Sequence, residues 1–219
     1  MENEQHKNYS FAYILISIVT LVAIVLSFAT YRLPTLPMLL SILIVIVGIC
    51  FVWSRKLSKK NLYVNNVLIL LVANMIAYFF TDYLIISKDR LFGFVIGIAV
   101  MDVFSFTKRG KHTLNAKLAG NISTLARLSI CLPIPGKPGL QQIIGVGDLV
   151  YYSTITMFFL KSSEPSSGLI AAMLILVGQF INIISTMVLK KLQKEKYKGF
   201  PATLFPGAIV FIASVIQWI

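Results

Sequence analysis

Residues Leu36–Trp53 read LPMLLSILIVIVGICFVW, eighteen residues without one charged side chain. Wound as a helix at about 1.5 Å per residue, such a run is about 27 Å long, close to the roughly 30 Å hydrocarbon core of a bilayer. Outward from it, comparable stretches recur at Phe11–Ala29, Val64–Ile86, Leu91–Thr107, Leu140–Leu160, Gly168–Leu189 and Phe200–Ile219. The whole chain of 219 residues is 57% hydrophobic and 13% charged, where soluble domains carry about twice that share of charge. Continuous Leu/Ile/Val runs leave no alternating polar face, which excludes a transmembrane barrel. The expectation is an all-α, polytopic transmembrane helical bundle of about seven spans, a multi-pass integral membrane protein that would sit in the plasma membrane of a prokaryote. Cys50 and Cys131 are isolated and read as small buried hydrophobes.

Twenty Lys and Arg against eight Asp and Glu give a net charge of +12. On a soluble chain that would suggest nucleic acid; beside membrane spans it sets orientation. With the connecting segments assigned alternately to two sides, sixteen basic residues fall on the side of the N-terminus and four on the other. The bias predicts a cytoplasmic N-terminus and an outside C-terminus. The spans so assigned put three helices in residues 1–90 and four in 91–219, with a cytoplasmic loop at 108–139. The N-terminal run follows Glu2 and Glu4 and is longer than a signal-peptide core, so it reads as a retained first helix. The Asn8 and Asn121 sequons fall on the cytoplasmic side and read as chance matches.

Within the loop, Leu114, Leu118, Ile122, Leu125 and Leu128 recur at helical spacing and predict a helix lying in the interface. Leu132–Gly139 (LPIPGKPG) cannot continue it and must turn or extend into the fifth span.

With so few acidic residues, each position is informative. Glu2, Glu4, Asp89, Glu164 and Glu195 fall in loops or the tail, and Asp82 lies near the outer end of its span. Asp102 and Asp148 lie inside spans, at similar depth on adjacent antiparallel helices, with no comparably deep Lys or Arg. A carboxyl in hydrocarbon costs a few kcal/mol and is usually functional or paired. Each is the other's natural partner, and two close carboxyls hold one shared proton. That is the device by which aspartic proteases activate water and polarise a peptide carbonyl. A proton relay or cation site in a transporter uses the same groups, and spacing alone leaves the two readings about even.

The longer run Gly145-Val-Gly-Asp-Leu-Val-Tyr-Tyr-Ser153 resembles the catalytic GxGD segment of the presenilin and signal peptide peptidase family of intramembrane aspartyl proteases, above all its archaeal members. Asp102, followed by the basic segment Phe106–His112 and then Leu118-Ala119, is similar to the family's other catalytic aspartate and its surroundings. Pro201-Ala-Thr-Leu204 looks like the family's Pro-Ala-Leu motif. The chain departs from the pattern at Met101, where the family usually has Tyr, at Thr203, which delays the Leu by one place, and in having seven rather than nine spans. The resemblance covers roughly the last 130 residues. It implies an endopeptidase that cuts single-span transmembrane segments or signal-peptide remnants with an activated water. Asp102 and Asp148 would be catalytic; Gly145, Gly147, Pro201, Ala202, Thr203 and Leu204 would meet substrate, and Tyr152, one turn from Asp148, would support it. No cofactor or metal is implied, and the partners are transmembrane peptides and the lipid bilayer, not nucleic acid. The alternatives are a prepilin or preflagellin-type GxGD peptidase and a proton- or cation-coupled transporter.

Overall fold

The computed structural model of the chain describes residues 2–32, 35–56, 58–105, 107, 121–162, 164–193 and 201–216. In order these form α1 (Glu2–Thr30), α2 (Thr35–Trp53), α3 (Lys59–Phe79) continued by a π-helical turn (Phe80–Leu84), and α4 (Lys88–Ser105). Then come α5 (Ile122–Arg127), β1 (Ser129–Pro133), β2 (Leu140–Gly145), α6 (Val146–Ser162), α7 (Pro165–Gln193) and α8 (Leu204–Val215).

The architecture is mostly helical, with α6 at its centre. Every residue from Leu149 to Leu160 is buried, because α1, α3, α7 and the hairpin all pack on this one helix. A helix without an exposed stripe is the innermost member of its bundle. The outer helices show the converse: Ile44, Phe180 and Leu192 leave more than 60% of their surface open. Three helices are long and apolar enough to cross a membrane, over Phe11–Thr30, Lys59–Leu84 and Ser166–Gln193. The other expected spans fall short for separate reasons. α4 carries Lys88, Asp89, Arg90 and Asp102, and α6 has 17 residues. The described apolar runs of α2 and α8 cover only Leu40–Trp53 and Leu204–Val215.

The expectation of an all-α chain needs correction at the fifth span. Leu140–Gly145 is a strand, paired antiparallel with Ser129–Pro133 and bulged beside Ile130/Cys131. Pro133, Pro135 and Pro138 have no N–H to give a helix, and Gly136 and Gly139 turn the chain at φ +74° and +73°, values that only glycine adopts freely. Asp148 is therefore in the first turn of its helix and not in the interior of a helical span over Leu140–Leu160. The predicted turn or extension over Leu132–Gly139 is the end of β1 and the hairpin loop. Of the expected interfacial helix, Ile122–Arg127 is helical and the stretch before Asn121 lies outside the described residues, as do His112 and Phe200. Asn121 is the N-cap of α5, accepting from the Thr124 N–H at 3.1 Å.

Polar groups bridge the helices internally. Ser27 donates to Asn74 Oδ1 at 3.0 Å and Gln179 Nε2 donates to Thr20 Oγ1 at 2.7 Å. Asp82 does not merely lie near the end of its span: in the π-helical turn it pairs with Lys161 at the last turn of α6. The Lys161 ammonium also sits 3.8 Å from the centre of the Tyr78 ring. Both members of the pair are partly sheltered, so Lys161→Met leaves a carboxylate without its counter-charge. We expect thermal stability in detergent to fall by about 1 to 2 kcal/mol and to recover when Asp82→Asn is added; an unchanged melting midpoint in the single variant would remove the pair from the account of stability.

Candidate active site

Three chain segments converge at the end of the bundle opposite the Asp82–Lys161 pair. Asp102 comes from the last turn of α4, Asp148 from the first turn of α6, and Pro201–Thr203 from the stretch that leads into α8. Asp102 is the more firmly held carboxyl. Its Oδ2 accepts from the Thr203 hydroxyl at 2.9 Å and from the Thr203 N–H at 3.3 Å. Asp148 Oδ2 has one longer contact, from the Gly145 N–H at 3.4 Å.

Tyr152 does not turn to Asp148. Its hydroxyl donates to the Ala202 carbonyl at 3.1 Å, which ties α6 to the lead-in of α8. Pro201 and Thr203 are buried and Leu204 is half-buried. Pro206 lies within α8. It sits in the first turn, where a backbone N–H would have no helical partner. The GxGD glycines are not forced by crowding within the chain. A Cβ on Gly147 would meet nothing within 4 Å, and one on Gly145 would meet only Asp148 Oδ2, at 3.5 Å. Their effect is to leave the backbone beside Asp148 bare.

An apolar groove of about 460 Å³ runs along the seam of α4 and α8, lined among others by Ala99, Val103, Phe104, Leu204 and Phe211. It starts at the level of the Asp102–Thr203 contact, since Val103 and Leu204 neighbour those residues in the chain.

Four features of this site go beyond the roles that the motifs imply. Thr203 is a direct partner of Asp102. The Tyr151 hydroxyl is buried without a hydrogen-bond partner among the described residues and fills the space where a Gly207 side chain would stand. Gly178 of α7 carries the backbone of Pro206 against it. Asn65 and Asn66 of α3 reach the hairpin region. The Asn pair had a legible signal, since amides inside an apolar helix are expected to find a partner across the bundle. The others depend on contacts between segments far apart in the chain. No protein-family model matches the chain, and no curated protein or solved structure does either.

Proposed function

We propose that this chain is a multi-spanning intramembrane aspartyl endopeptidase, with Asp102 and Asp148 as its catalytic pair and single-span transmembrane segments as substrates. The observation that carries the reading is that two carboxyls from separate helices stand at one end of the bundle beside bare glycine backbone and an apolar groove, with no basic side chain among the described residues hydrogen-bonded to either. In the reaction one carboxylate takes a proton from water as the oxygen attacks the peptide carbon. The protonated partner hydrogen-bonds the carbonyl oxygen, and the tetrahedral intermediate collapses as a proton reaches the leaving amine.

Depth supports the same reading. Gly178 touches the backbone of Pro206, and about 18 Å of helix separates it from Lys190 at 1.5 Å per residue. The lead-in of α8 is thus level with the middle of α7, well inside the apolar stretch Ser166–Gln193. In the proposed topology of seven spans, N-terminus cytoplasmic and C-terminus outside, the carboxyls open toward the cytoplasmic side and α6, enclosed by protein, needs no lipid-facing length. A helical substrate hides its carbonyls in its own hydrogen bonds. It would enter along the α4–α8 groove, unwind, and lay its extended backbone beside Gly145 and Gly147.

The test is cleavage of a fluorescent single-span peptide by the purified protein in bilayers, with Asp148→Ala and a hydroxyl-containing transition-state mimic as controls. Cleavage lost in both controls is the expected result. No cleavage of several peptides, with proton-coupled uptake in the same vesicles, would replace the endopeptidase with a transporter. Thr203 gives a finer prediction. Thr203→Val keeps the shape and the backbone N–H but removes the hydroxyl donor. A hydrogen bond to a charged group is worth about 1.5 to 3 kcal/mol, so we expect kcat to fall by about one to two orders of magnitude with KM little changed. Thr203→Ser should restore most of the rate. A change in KM alone would return Thr203 to substrate binding.

A further inference from the structure

The Tyr151 ring needs no hydroxyl for its packing. It stacks on Phe94 of α4 with centroids 5.9 Å apart and meets Tyr152 at 5.8 Å, contacts that a Phe ring would make equally well. The residue is 0% exposed, and its oxygen has no hydrogen-bond partner among the described residues. A Ser or Thr hydroxyl in such a place can turn back to a carbonyl of its own helix; a phenol oxygen stands too far from its backbone to do so. Burying it unpaired costs free energy. The helix facing it is shaped around it as well. A Cβ on Gly207 would collide with this oxygen, so α8 carries a glycine inside an apolar helix, where almost any other residue would favour the helix more.

The oxygen lies against the groove between α4 and α8. Gly207 and Val95 both line that groove, and the place of a Gly207 Cβ, which the oxygen fills, also adjoins Val95 Cγ1. The hydroxyl is therefore under the groove floor, where the two helices meet. Gly207 is four residues past Thr203, about 6 Å along the helix at 1.5 Å per residue. The hydroxyl thus stands about one turn beyond the Asp102–Thr203 contact. The side chains that line the groove are apolar except for Thr107, whose hydroxyl donates to the Phe104 carbonyl at 2.8 Å.

We infer that Tyr151 is a substrate-binding residue: its hydroxyl takes up a main-chain polar group that a substrate helix frees where it unwinds, one turn from the carboxyls. The inference rests on the endopeptidase reading. Unwinding at the carboxyls leaves the last turn of the remaining helix with unpaired carbonyls, or with unpaired N–H groups if the substrate runs the other way. In an apolar groove each such group is costly. A phenol both donates and accepts, so one side chain serves either direction. α4 packs chiefly on α8, and a substrate that parts this seam uncovers the oxygen. The unpaired hydroxyl of the free protein is then a cost that the substrate relieves, and it does so only once its helix has opened.

The experiment compares the full wild-type chain with Tyr151→Phe in bilayers, on a full single-span peptide and on a truncated one that ends before it reaches the hydroxyl. Tyr151→Phe should hold the melting midpoint or raise it by about 2 to 4 °C, because it removes an unpaired buried oxygen. On the full span kcat should fall by about 5- to 10-fold with KM little changed, since the contact forms only after unwinding. The truncated peptide should be cut equally by both proteins. A packing role would instead lower midpoint and rate together and slow both peptides alike. That result, or an unchanged kcat on the full span, would overturn the inference and leave the endopeptidase reading standing. A wild type that cuts no peptide would bring down that reading, and the inference with it.

Discussion

Asp102→Asn and Asp148→Asn should each reduce cleavage to background, a loss of about 10⁴-fold or more, while the protein stays folded. General acid–base groups each contribute about 10²- to 10⁴-fold, and in the proposed dyad the two would act as one unit, so removing either would remove the whole. An amide cannot take the proton from water. Asn is close to Asp in shape, and at 148 it can still accept from the Gly145 N–H that now meets Oδ2. At 102 it can still accept from Thr203. The fold therefore loses no packing, and the melting midpoint should hold or rise as a sheltered charge disappears. In the wild type, rate plotted against pH should be bell-shaped, with two apparent pKa values that belong to the pair and not to either residue. Activity persisting in either variant, or a flat profile with chemistry rate-limiting, would refute the dyad.

Gly178→Leu should be the most damaging change remote from the carboxyls. A Cβ at this position would lie 2.5 Å from Pro206 Cα, 2.6 Å from its N and 2.9 Å from the Phe205 carbonyl carbon. These are backbone atoms that cannot swing aside, so α8 itself must move away from α7. Overpacking of this kind costs about 1 to 3 kcal/mol, sometimes more. The start of α8 follows directly from Thr203, which holds Asp102, and from Ala202, which holds Tyr152. A misplacement of about 1 Å in such a constellation costs on the order of 10²-fold in rate. We expect Gly178→Leu to lose both stability and cleavage, and Gly178→Ala to show a smaller loss of each. Gly93→Ala is the control: a Cβ there meets nothing within 4 Å, and it should be neutral or slightly stabilising through helix propensity. Melting curves and peptide cleavage on the same preparations decide it; a wild-type Gly178→Leu would mean that α8 is not held by this contact.

Much of the helical framework was legible because hydrophobic run length is a local property. Leu36–Trp53 and its counterparts differ from the observed helices mainly at their ends, where Ser58 and Asn121 cap and prolines stop the winding. Leu140–Gly145 misled for the same reason. Six half-apolar residues suit a buried helix or a strand, and only the pairing with Ser129–Pro133 and the Asn66 contact behind it selects the strand. Asp102 and Asp148 stood out because a carboxyl within an apolar run is expensive wherever it lies, so composition and position alone flagged them as paired or functional groups. The same reasoning applies to Asn65, Asn66 and Asn74, amides inside an apolar helix that need partners the sequence does not name.

Tertiary structure alone decided how those costs are met. Thr203 lies 101 residues from Asp102, Ala202 lies 50 from Tyr152, and Asn66 lies 65 from Cys131. No periodicity links such pairs. A hydroxyl, a carbonyl and an amide are common groups, and each acquires its role from the helix packing that brings it within about 3 Å of a particular partner. Hydrophobic patterning could therefore say that this chain folds as apolar helices around two costly carboxyls. Which donor holds Asp102 and how deep α8 begins were settled by the packing of α6 among α1, α3 and α7, and of α8 on α7.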